Sequence, residues 1–167
     1  MRDRRVKILV EGAMMVAITY VLHLFKIYQA PYGGSVTLGS MVPLLLFAFR
    51  HGPGAGVLAG AAYGFLDYFV EPYFVHPVQL ILDYPLAYGL LGLAGFFRSN
   101  IYLGSAVGIL GRLLSHFISG VVFFAQYAEG NVYLYSLVYN AQYLVPELII
   151  AIVVIRFALR RVLEVKI

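Results

Sequence analysis

Long apolar runs separated by short polar breaks extend over nearly the whole of this chain, and they set the solvent it can fold in. Only 12% of its 167 residues are charged and 62% are hydrophobic, whereas a soluble domain carries about 25% charged residues because its surface has to meet water. A globule of this composition could not cover itself with polar groups, so its surface must face lipid. A bilayer crossing takes roughly 20 apolar residues, and about six such spans fit here with almost nothing left for a soluble domain. The expected fold is therefore all-α and integral to the membrane: one transmembrane domain over residues 1–167, built as a bundle of six helices.

The breaks place the spans at about 6–27, 38–49, 55–69, 78–97, 102–127 and 133–159. Between the first two lies an expected loop, Tyr28 to Thr37, with the breaker cluster Ala30-Pro31-Tyr32-Gly33-Gly34. The apolar run after Arg2, Arg4, Arg5 and Lys7 continues to about Phe25, too long for the h-region of a signal peptide, so it is expected to stay as the first helix. Arg2, Arg4, Arg5, Lys7, Arg50, Arg98, Arg156, Arg160, Arg161 and Lys166 fall on one side of the resulting zigzag. Lys26 falls on the other, with Glu71 and Glu129. That asymmetry predicts both termini in the cytoplasm of a multi-pass protein of the cell membrane. The net charge of +4 is thus accounted for by membrane flanks, and no separate basic face points to nucleic acid. With no Cys, disulfides, thiolate catalysis and Cys-based metal sites are excluded. With no Trp, any stacking platform has to use Tyr and Phe.

Small residues recur every four positions at Gly52, Gly56, Gly60 and Gly64, at Gly104 and Gly108, and at Ala13 and Ala17. In lipid such stripes let helix backbones approach closely. The glycines read as packing inside the bundle. Ala13 and Ala17 fit equally an internal contact or an external docking face.

Ionisable groups inside spans are costly and mark function by default. Asp67, Asp83, Arg112, His116 and Glu147 qualify. At 100° per residue, Arg112, His116, Gly120, Phe123 and Tyr127 form one stripe on the fifth helix, and Ser136, Asn140, Tyr143 and Glu147 another on the sixth. The two stripes are expected to face each other. Nearer the outer ends, His116, Gly120, Phe124, Tyr135, Tyr139 and Asn140 can meet Tyr73 and Asp83-Tyr84 around an outward-opening pocket. Arg112 and Glu147 lie deeper and read as a buried ion pair or helix clamp; Asp67, one turn from Tyr63, reads as structural. One carboxylate, a His, an Asn and many rings suit a flat, nitrogen-rich, cationic ligand.

Several stretches carry a family likeness: Gly34-Ser35-Val36-Thr37-Leu38-Gly39-Ser40-Met41-Val42-Pro43, Phe49-Arg50-His51-Gly52-Pro53, Pro72-Tyr73-Phe74-Val75-His76-Pro77 and Leu82-Asp83-Tyr84-Pro85-Leu86-Ala87. Over nearly its whole length the chain resembles the ThiT (YuaJ) thiamine transporters, the substrate-binding S components of energy-coupling-factor (ECF) importers. The resemblance implies six helices with both termini inside, and high-affinity capture of thiamine (vitamin B1) from outside. It implies that Asp83 and Tyr84 hold the polar ring edges of thiamine, with His116, Gly120, Tyr73, Tyr135 and Asn140 lining the pocket. It also implies docking through Ala13 and Ala17 onto a coupling transmembrane protein that works with two ATPase subunits. Family members stack the ligand on Trp, for which Phe124 and Tyr32 are the replacements here. Where members carry a Glu as binding carboxylate, Asp83 is one methylene shorter.

The chain has no G-x-x-x-x-G-K-[ST] motif, so ATP is expected to be used by the partner subunits, and no cofactor or metal is expected in this one. The first loop, 28–37, is expected to be a lid. Missing a basic cluster on its outer side, the chain suits free thiamine better than thiamine phosphates. Two rival readings remain open: an S component for another vitamin or pyrimidine, and a small intramembrane enzyme using His116 with Asp83 or Glu147. Having no H-E-x-x-H and no paired carboxylates at helical spacing, the sequence disfavours the enzyme.

Overall fold

The computed structural model describes residues 2–31 and 33–162, so Tyr32 and Lys166 lie outside the described residues. Helix α1 (Arg2–His23) leads into a short antiparallel hairpin, β1 (Lys26–Gln29) and β2 (Ser35–Thr37). Four further long or medium helical segments follow: α2 (Val42–His51), α3 (Pro53–Val70), α4 (Pro77–Phe96) and α5 (Ile101–Phe123). A 3-10 turn at Ala125–Tyr127 then links to the last helix, α6 (Val132–Val162).

Helix α2 is the centre of the molecule. Leu44, Leu45, Phe47, Ala48 and Phe49 are all buried, so this helix is apolar and covered on every side. Helices α1, α3, α5 and α6 and the end of α4 surround it. The outward residues of the peripheral helices are also apolar: Leu9 and Met14 on α1, Leu110 and Leu114 on α5, Leu134 and Ile149 on α6 are exposed. Apolar residues inside and outside together fit a bundle solvated by lipid. Among the described residues, Asp3–His23, Pro77–Phe96, Ile101–Phe123 and Val132–Phe157 are long and apolar enough to cross a membrane; Val42–His51 is shorter.

The glycine stripe on α3 packs against α4 at backbone distance. A Cβ on Gly60 would sit 2.2 Å from the Tyr88 carbonyl oxygen, and one on Gly64 would sit 2.4 Å from that of Tyr84. This contact positions the site, because α4 carries Asp83. Nor is α4 a regular α-helix, as expected for the 78–97 span. Pro85 has no N–H to give to the carbonyl one turn back. The segment Leu82–Leu86 therefore widens into a π turn, and Leu91–Phe96 tightens into 3-10 form. Ser115 on α5 donates to the Leu82 carbonyl at 2.6 Å and ties the widened turn in place.

The stretch expected as a loop from Tyr28 to Thr37 is instead mostly hairpin, and α1 stops at His23 rather than Ile27. Unbroken hydrophobicity through Leu24-Phe25 hid that boundary. The strands fall on β-branched and aromatic residues, with Tyr28 opposite Val36. Gly33 and Gly34 turn the chain at φ of 108° and 61°, a region open to glycine, and Ala30 N–H donates to the Gly34 carbonyl at 2.9 Å.

Candidate functional site

The hairpin, the α3–α4 link and the adjoining ends of α5 and α6 enclose a cavity of about 410 Å³. That lies within the range of small-molecule pockets, roughly 300–1,000 Å³. Asp83, Tyr84, His116, Gly120, Asn140, Tyr135, Tyr73, Phe124 and Tyr139 all line it. Tyr32 lies outside the described residues.

Asp83 sits at the π turn and is held from three directions. Gln79 Nε2 (2.7 Å) and Ser119 Oγ (2.8 Å) donate to its Oδ2, and His116 Nδ1 meets Oδ1 at 3.0 Å. Arg112 Nε donates to His116 Nε2 at 3.2 Å, which assigns the ring proton to Nδ1, donating to Asp83. A chain Arg112→His116→Asp83 therefore crosses from α5 to α4. The carboxylate keeps acceptor capacity on Oδ1 for a donor in the cavity.

Arg112 and Glu147, expected as a buried ion pair or helix clamp, do not pair with each other. The Arg112 guanidinium lies 4.0 Å above the Tyr88 ring, where cation and π face attract, and it lines the cavity. Glu147 is a clamp of a different kind. Its Oε1 accepts from both the backbone N–H and the hydroxyl of Thr37, fastening β2 to α6. Asp67 accepts from Tyr63 (3.2 Å) and Tyr88 (3.0 Å), the structural part expected of it, and it also faces the cavity.

The α5 and α6 polar stripes meet as expected. Ser136 Oγ donates to the Phe117 carbonyl at 2.9 Å, and a Cβ on Gly120 would come within 2.2 Å of that same hydroxyl. Asn140 donates to the Ser136 carbonyl (2.8 Å) and accepts from Tyr143 (2.6 Å). Rings cover much of the remaining wall. Tyr73 lies 5.8 Å from Phe124, and Tyr135 stacks with Tyr139 at 6.0 Å. Tyr139 OH also donates to the Pro31 carbonyl in the hairpin turn.

Sequence reasoning missed part of the lining. Gln79 is one helical turn before Asp83, a spacing at which an amide and a carboxylate meet, so its role was legible in principle. His23 and Lys26 were not: their partners, Asp67 and Glu71, come from the end of α3 and the residue just after it, far along the chain. Lys26 Nζ grips both Glu71 oxygens at 2.6 Å, and His23 Nε2 stands 3.6 Å from Glu71 and 3.7 Å from Asp67. Burial pushes the Glu71 carboxyl up, but the bonded Lys26 ammonium, with His23 beside it, outweighs that and holds it below the usual carboxylate range.

A ring-lined cavity with one well-positioned carboxylate suits a small aromatic cation, and likeness to known proteins agrees. The family model described as thiamine transporter protein (Thia_YuaJ) matches residues 9–167. The chain belongs to this family. The thiamine transporter ThiT of Bacillus subtilis (strain 168) is 35% identical to it over 168 residues, covering 88% of this chain and 87% of that protein. The thiamine transporter ThiT of Lacticaseibacillus paracasei is 29% identical, covering 86% of this chain and 80% of its own. A solved structure of ThiT from Listeria monocytogenes shares the fold, with a TM-score of 0.87 at 24% identity over 96% of this chain and 97% of that one. Membership in a family of transporters, with several apolar helices, makes this a multi-pass protein of the cell membrane and not an enzyme.

Proposed function

We propose that this chain captures thiamine from outside the cell in the hairpin-covered cavity, as the substrate-binding subunit of an ECF-type importer. The observation that carries the reading is Asp83, fixed by Gln79, Ser119 and His116 and facing a cavity walled by Tyr and Phe rings. A half-buried carboxylate held by three donors is pre-oriented, and it favours a ligand that brings hydrogen-bond donors and positive charge. Thiamine has both, an aminopyrimidine edge and a thiazolium ring. The rings Tyr73–Phe124 and Tyr135–Tyr139 offer π faces to the two heterocycles.

In this reading the six helices form one transmembrane bundle, with both termini in the cytoplasm and the hairpin outside as the lid. Release inwards requires a coupling transmembrane protein and two ATPase subunits, docked through the exposed Ala13 and Ala17 on α1. No cofactor is needed in this subunit. Among the described residues lining the cavity, Lys26 is neutralised by Glu71 and Arg112 lies over the Tyr88 ring, and free thiamine is the better ligand than its phosphates.

Titration of thiamine into the detergent-purified chain by calorimetry, beside Asp83→Asn, tests the proposal. The expected result is a saturable single site in the wild type, weakened at least about tenfold in the variant, the loss that goes with a charge-assisted hydrogen bond. A well-folded wild type that takes up no thiamine overturns it and leaves another vitamin or pyrimidine as the candidate.

A further inference from the structure

A second concave space lies away from the candidate thiamine site, where the start of α1 meets the end of α2. Arg4, Lys7, Ile8, Arg50 and His51 line a cleft of about 330 Å³. Glu11, one turn deeper on α1, anchors two of these groups: it lies 3.0 Å from Arg50 Nη1 and 3.1 Å from His51 Nε2. The His51 ring rests against Phe47 at 4.8 Å, which fixes it further. Arg98 adds a guanidinium beside the same turn, since a Cβ on Gly52 would sit 2.4 Å from its Nη2.

The charges do not cancel. Glu11 is matched by Arg50 and His51, while neither Arg4 nor Lys7 makes an ion pair among the described residues. Lone basic flanks are ordinary in membrane proteins. Here, though, three cationic side chains and a His from two helices converge on one cavity instead of spreading into solvent. Ile8 gives that cavity an apolar wall, and the exposed Val10, Met14 and Ile18, on the Lys7 side of α1 at 100° per residue, continue an apolar surface along the helix.

We propose that this cleft binds the phosphate of an anionic phospholipid, with Arg4 and Lys7 as its free cations and the acyl chains running along Val10, Met14 and Ile18. Preformed basic pockets between helices recognise such headgroups. A free anion would gain nothing from the apolar track, and that feature decides for lipid. The site is independent of thiamine.

The test is lipid titration of the purified chain in detergent, read by native mass spectrometry and by thermal unfolding, using phosphatidylglycerol, phosphatidylcholine and inorganic phosphate as separate probes. Phosphatidylglycerol is expected to add as a discrete adduct and raise the unfolding temperature, while phosphatidylcholine and phosphate do neither. In the double variant Arg4→Gln/Lys7→Gln, phosphatidylglycerol should bind roughly 30-fold more weakly, the loss expected from two near-surface cations. Thiamine binding should be unchanged, which shows that the variant is folded. Equal phosphatidylglycerol binding in variant and wild type, or equal binding of phosphatidylcholine, overturns the proposal. So does stabilisation by inorganic phosphate as large as that by the lipid, which would make the cleft a free-anion site.

Discussion

If the hairpin is the lid of the cavity, Glu147 governs how often it opens. This residue is 1% exposed, and its Oε1 takes two hydrogen bonds from Thr37, one from the backbone N–H and one from the hydroxyl. Thr37 is itself buried, and its hydroxyl also meets Ser40 Oγ at 2.9 Å. Glu147→Ala therefore strands a buried backbone donor and removes a side-chain contact. Each such loss costs about 1–3 kcal/mol, and about 2–3 kcal/mol together after partial relaxation. Opening of β2 should then become roughly 30- to 150-fold more frequent. Glu147→Gln keeps an oxygen acceptor and should stay within a few-fold of wild type. Hydrogen exchange at Val36 and Thr37 reads the opening directly, and thiamine dissociation followed by Tyr fluorescence reads its consequence. Should Glu147→Ala leave exchange at these amides unchanged while the protein remains folded, the clamp argument is wrong. Should exchange rise while dissociation does not, the hairpin is anchored by Glu147 but is not the gate.

Two further outcomes follow from the geometry. Gly60→Ala places a Cβ 2.2 Å from the Tyr88 carbonyl, where backbone has to move, so the substitution should cost about 1–3 kcal/mol or more and lower the unfolding temperature; Gly54→Ala, in open space, should not. The Lys26–Glu71 pair should be pH-sensitive in one direction: because Glu71 titrates below its ordinary value, the pair is intact above the usual carboxylate range and is lost as pH falls through the depressed value. Hairpin exchange should therefore speed up on acidification in the wild type, and that acid-dependent step should be missing in Glu71→Gln.

The membrane bundle was legible because composition leaves lipid as the only solvent, and the polar stripes on α5 and α6 were legible because α-helical periodicity survives in a bilayer. Asp83, His116 and Asn140 stood out for the same reason: a polar group among Leu, Ile and Val is conspicuous. What stayed hidden depends on contacts between distant segments. Nothing local distinguishes Arg112 pairing with Glu147 from Arg112 lying over Tyr88, since both partners are brought in by other helices. The hairpin was concealed by hydrophobicity that runs on past the end of α1, although Ile27-Tyr28 and Val36-Thr37 have strand character. The π turn could be suspected from Pro85, but its stabilising partner Ser115 is on another helix.

The most direct measurement of the central claim is an experimental structure of the chain with thiamine bound. The account predicts one thiamine in the cavity under the hairpin, a nitrogen of its aminopyrimidine within hydrogen-bond distance of Asp83 Oδ1, and its rings against Tyr73–Phe124 or Tyr135–Tyr139. Thiamine bound elsewhere, or in the cavity with no contact to Asp83, would contradict it.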